Sequence, residues 1–170
     1  MIPVPARLDN EPKTDISVRR AVPSDAAVLA RMRHEFRAPL GENVESEATF
    51  LERCREWMAA RLHAESVWRV WIAELDAHAV GCVWLQLVEK LPNPVAEGEW
   101  HGYVSNLFVR DEARGRGVGS QLLRVALDEC DRLDVDNVIL WPTPRSRSLY
   151  ARHGFTEADN VLVLRREGEL

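Results

Sequence analysis

A chain of 170 residues with 46% hydrophobic and 29% charged side chains has the size and balance of one soluble globular domain rather than of a disordered or membrane protein. Its 22 basic residues against 27 acidic ones leave a formal charge of −5 and argue against non-specific nucleic-acid binding, which needs a broad cationic surface. The longest apolar run, Ala79 to Val88, is too short for a membrane helix, and the scattered Cys54, Cys82 and Cys130 form no CxxC pair, so the expectation is a cytoplasmic protein in a reducing compartment, off the membrane.

Residues 1–15 hold Pro3, Pro5 and Pro12 among polar neighbours and are predicted to form a flexible arm before a domain spanning 16–170. Ile16, Val18, Arg20 and Val22 alternate with other residues and mark a short first strand. Pro23-Ser24-Asp25 starts a helix with Leu29, Met32 and Phe36 as its apolar stripe. A second helix from Ser46 places Phe50, Cys54, Trp57 and Met58 on one face. Val67–Leu75 and Ala79–Val88 read as a hairpin turning at Asp76-Ala77-His78. A loop with Pro92, Asn93, Pro94 and Gly98 leads to a strand over Trp100–Val109. Val118, Leu122, Ala126, Cys130 and Leu133 define a strongly amphipathic helix. A strand over Asp136–Trp141, a short helix over Ser146–His153 and a last strand over Asn160–Arg166 complete a mixed α/β order with an antiparallel front half.

Arg114-Gly115-Arg116-Gly117-Val118-Gly119-Ser120 lies between a strand and the start of that amphipathic helix. Closely spaced glycines permit positive φ and close backbone approach, and a helix start offers unpaired amides with the positive end of its dipole. That combination suits a pyrophosphate. A Walker loop would need a lysine, and a dinucleotide fingerprint would need glycine where Ser120 stands. A glycine-rich turn with no ligand is the alternative from this loop alone.

Further residues narrow the choice. Arg114-x-x-Gly117-x-Gly119 follows Leu107-Phe108-Val109 and precedes Gln121-Leu122-Leu123, and Leu149-Tyr150-Ala151-Arg152-His153-Gly154-Phe155 comes some thirty residues later. In these motifs the chain resembles the GCN5-related N-acetyltransferase superfamily, most strongly over 100–157. The resemblance implies a single-domain α/β (α+β) acetyltransferase fold, with a mostly antiparallel mixed sheet, two splayed parallel strands and helices on both faces. It implies acetyl-CoA as cosubstrate, lying between strands Trp100–Val109 and Asp136–Trp141. Backbone groups of Leu107, Phe108 and Val109 would pair with the pantetheine arm. Arg114, Gly115, Arg116, Gly117, Val118, Gly119 and Ser120 would hold the pyrophosphate. Thr143 stands where an asparagine often binds pantetheine, and Arg145, Arg147 and Arg152 are candidates for the 3′-phosphate. Tyr150 would protonate the departing thiolate.

Many relatives carry a base glutamate on the fourth strand; here Ser105 or Asn106 occupies that place. Ser105 can hold a water but is no base at neutral pH. Glu99, His101, Glu35 and Glu42 are the other candidates. No histidine spacing suits a metal, and none is expected. The expected function is direct acetyl transfer to a primary amine of a small acceptor, without a cysteine intermediate. A CoA-binding sensor of the same fold is the alternative. Glu42, Glu45, Glu47, Glu89, Glu97 and Glu99 in the front half point weakly to a cationic acceptor. Dimers being frequent in the family, a homodimer is the expected assembly if the chain associates.

Overall fold

Among the described residues, five strands form one sheet in chain order, and its two edges differ in kind. The computed structural model describes residues 16–41 and 44–164; the arm expected over 1–15 and the candidate Glu42 lie outside them. The strands are β1 (Ile16–Arg20), β2 (Trp68–Leu75), β3 (His78–Glu89), β4 (Trp100–Val109) and β5 (Val135–Ile139), ordered β1-β2-β3-β4-β5. The first three pairings are antiparallel, whereas β4 and β5 run parallel. The helices are α1 (Ala26–Arg37), α2 (Glu47–Ala59), α3 (Val118–Arg132) and α4 (Arg147–Arg152). The chain divides after Leu140 into two compact units, the second beginning at Trp141.

Local chemistry accounts for the ends of these elements. Asp25 accepts from the Val22 amide at 2.8 Å while Arg19 grips both its oxygens at 2.8 Å, which fixes the turn into α1. Ser46 caps α2 by accepting from the Thr49 amide. The β2–β3 hairpin turns through Asp76 and Ala77, both at positive φ (50° and 63°), as a two-residue loop of this hand requires.

Alternation then builds two packed layers. Val70, Ile72, Cys82, Trp84 and Phe108 turn to one face and pack with Leu29 and Met32 of α1 and Met58 of α2. The opposite face meets α3, whose Val118, Leu122, Ala126 and Cys130 are buried as the stripe predicts. Gly102 of β4 sits there under Leu85 and Cys130. Helices therefore cover both faces, as expected.

Two expectations need correction. The fifth strand starts at Val135 and ends at Ile139, so Trp141 is outside it. No strand forms over Asn160–Leu164, and Arg165 and Arg166 lie outside the described residues. A continuous apolar run, Val161 to Leu164, is insufficient without a paired edge. Val161 to Leu164 are instead exposed, Leu162 at 97%.

Candidate active site

The parallel ladder between β4 and β5 ends at Tyr103↔Ile139, although β4 continues to Val109. Val104 to Val109 thus run on without β5 and leave one backbone edge of β4 open on that side. β4 also carries an extra residue here: Cys82 pairs with Phe108 and Trp84 with Ser105, so two β3 steps oppose three on β4. This bulge puts Asn106 at φ 49°, a left-handed conformation that asparagine tolerates better than most residues. The Asn106 side chain is tied down, its Oδ1 accepting from Arg33 Nη1 at 3.1 Å and its Nδ2 approaching Cys82 Sγ at 3.6 Å.

Just beyond the open edge, the glycine loop enters α3. Gly115 and Gly117 have φ of 75° and 81°, and a Cβ on either would point into open space. Gly117 is the N-cap residue and no side chain caps the helix; the first intrahelical bond is Gln121 N to Gly117 O. The amides of Val118 and Gly119 precede that bond and sit at the positive end of the helix dipole. This is a cradle for an anion, and Arg116 is exposed on it. Arg114 is less available than its sequence position suggests. It is ion-paired to Asp111 and donates to the Val109 carbonyl at 3.0 Å.

The strand register also fixes directions. Val88, Gln86 and Trp84 of β3 pair with His101, Tyr103 and Ser105, which therefore share the face covered by α1 and α2, successive side chains about 7 Å apart. Glu99 is exposed ahead of the strand. Glu35 gives both oxygens to Arg110 at 2.8 and 2.9 Å. The three thiols are poor nucleophiles: burial pushes Cys82 up to about 12 and Cys130 up to about 11, and raises Cys54 as well. Among the described residues no group of His, Cys, Asp and Glu could hold a metal, and no helix is long and apolar enough to cross a membrane.

In the second unit, Tyr150 lies on α4. Its carbonyl accepts from the Phe155 amide, the Gly154 amide bonds to Ala151 O, and Gly154 adopts φ 86°. These two bonds make a Schellman close, and the Tyr150 and Phe155 rings meet edge to face at 5.7 Å. The Leu-Tyr-x-x-x-Gly-Phe spacing is therefore a helix-ending device that locks the tyrosine's own turn. Burial raises the Tyr150 phenol above its ordinary value, with the Ser146 hydroxyl opposing in part. Thr143 is engaged by Ser146, its amide donating to Ser146 Oγ at 2.9 Å. Arg147 pairs with Glu157 at 2.9 Å.

Sequence reasoning missed Arg33 and did not see the bulge. The positive φ of Asn106 follows from a count mismatch between two strands, and Arg33 meets it from 73 residues away. Neither has a local signal beyond asparagine's tolerance of that conformation.

The open stretch of β4 thus runs up to a glycine-rich helix start that no side chain caps. The profile of the Acetyltransferase (GNAT) family matches residues 29–155, and the chain belongs to that family. No curated protein matches the sequence. Among solved structures, the chain is similar to a GCN5-related N-acetyltransferase from Ralstonia eutropha JMP134, at 24% identity and TM-score 0.72 over 89% of this chain and 99% of the other. It is also similar to a predicted acetyltransferase from Clostridium acetobutylicum solved with acetyl-CoA, at 18% identity and TM-score 0.70 over 89% and 96%. A third likeness is to an aminoglycoside N-acetyltransferase in complex with CoA, at 17% identity and TM-score 0.68 over 92% and 99%. At these identities the likeness is one of fold, and the fold and family agree with the sequence expectation.

Proposed function

We propose that the protein transfers an acetyl group from acetyl-CoA directly to a primary amine of a small acceptor. The observation that carries this reading is the open Val104–Val109 edge of β4 running up to the uncapped, positive-φ start of α3. Acetyl-CoA supplies the activated acyl group, and a neutral amine attacks its thioester carbonyl and displaces the thiolate. Leu107, Phe108 and Val109 offer main-chain groups to the pantetheine arm in the manner of an added strand. Gly115, Gly117, Val118, Gly119 and Ser120 offer amides to the pyrophosphate, with Arg116 supplying charge and Arg114 shaping the loop through Val109 and Asp111. Thr143 is the proposed hydroxyl contact to the arm. Tyr150, kept protonated by burial, gives a proton to the thiolate. Ser105 orients the water that removes the amine's proton. The suppressed thiols favour direct transfer over a cysteine intermediate.

Thermal denaturation tests the cradle. Ligand that binds only the native state stabilises it, by about 2.7 kcal/mol at 100-fold over Kd. Acetyl-CoA should raise the melting temperature of the wild type and not of Gly117→Glu, whose carboxylate enters the pyrophosphate space. Arg116→Glu, which strains no backbone, should bind roughly tenfold more weakly. Normal acetyl-CoA binding by both folded variants would remove the loop from the site.

A further inference from the structure

Arg33 is a partly buried cation on α1, and it donates to Asn106 Oδ1 on the β4 bulge. Among the described residues, no carboxylate stands within ion-pair distance of it. Arg37 nearby opposes its charge further. The part-buried Arg69 and Arg110 are matched by Glu129 and Glu35, and the exposed Arg19 by Asp25 and Glu74. Three of the front-half acids also have basic neighbours. Glu45 pairs with Arg53, Glu97 with Lys90, and Glu47 lies 3.9 Å from His34. Arg37, one turn further along α1, adds a like charge beside Arg33.

Holding a guanidinium partly out of water with one neutral hydrogen bond is costly, and burial works against its charge. An arginine nevertheless stays protonated, and its fork has donors left beyond the one given to Asn106. Asn106 directly follows Ser105, where the proposed reaction removes the amine's proton. We propose that Arg33 binds a carboxylate carried by the acceptor itself, so that the substrate is an amino acid or a similar amine bearing a carboxylate. This rests on the acetyl-transfer reading and names the acceptor class for the same site.

The test pairs amino acids with their carboxamides as acceptors, in wild type, Arg33→Gln and Arg33→Lys, with circular dichroism as the check of folding. Wild type should favour an amino acid over its carboxamide by roughly 10- to 100-fold in kcat/KM, the worth of a charge-assisted hydrogen bond, expressed mainly in KM. Arg33→Gln should abolish the preference. Arg33→Lys, which keeps the charge and loses the fork, should retain part of it. Calorimetric titration with N-acetyl amino acids and their amides gives a readout independent of turnover, with the acids alone binding wild type and losing affinity in Arg33→Gln. Equal use of acids and amides, or a preference that survives Arg33→Gln, overturns the proposal while transfer stands. Binding of the acids through Arg33 without turnover of any amine would instead overturn transfer and leave the carboxylate site.

Discussion

Tyr150 and Ser105 carry the proton inventory of the proposed reaction, and their settings differ. Tyr150 is fixed by the Schellman close and half-buried, so Tyr150→Phe removes the proton donor while preserving the ring contact with Phe155. Turnover should fall by about 10²–10⁴-fold with acetyl-CoA affinity nearly unchanged. Unaltered turnover with chemistry rate-limiting would reduce Tyr150 to packing. On β4, Ser105 stands on the face that also carries Tyr103 and His101, and the strand has no carboxylate. With only a water there, the reaction depends on the amine's own ionisation, near pKa 10.4 for an alkylamine. The rate per acceptor concentration should keep climbing above neutral pH in wild type, His101→Gln and Glu99→Gln, and be slower in Ser105→Ala. A plateau set near pH 6–7 and removed by either of the first two changes would identify a true base.

At the scale of elements, β4 and α3 were legible to the residue at their starts because each is decided by its own pattern, strand alternation in one and a four-residue stripe in the other. The loop glycines were legible for a similar reason, since positive φ has a residue preference. What could not be read was non-local. The end of the β4–β5 ladder, the bulge at Asn106 and the absence of a strand at Val161–Leu164 all depend on which edges meet. Arg33 was illegible because an arginine is conspicuous only once the partners of the others are known.

The start of α1 gives a stability test at the same scale. Hydrogen bonding from Arg19, helped by the Val22 amide, holds the Asp25 carboxyl below its ordinary value. A depressed folded-state value means the stabilisation is fully present above the unfolded carboxyl pKa of about 3.9 and is lost as pH falls through the lower folded one. Asp25→Asn should therefore cost about 1–3 kcal/mol at neutral pH, and urea titrations should show the gap to wild type shrinking below pH 4. A gap constant from pH 7 to pH 3 would mean the charge contributes nothing.

For the molecule as a whole, a net charge of −5 repels a polyanionic cosubstrate at long range. Under the proposed function, binding is therefore local, through loop amides, the α3 dipole and Arg116. The family match over 29–155 takes in β4, the loop, α3 and the Tyr150–Phe155 turn, and ends before the exposed Val161–Leu164 run. The proposed acceptor contact, Arg33, lies on α1 in the front half. The most direct measurement of the central claim is simultaneous quantification of free CoA thiol and acetylated amine from acetyl-CoA across a panel of amines. The account predicts thiol and acetylated product in equal amounts, dependent on both enzyme and amine; tight acetyl-CoA binding with no amine-dependent thiol release would contradict it and mark the protein as a sensor.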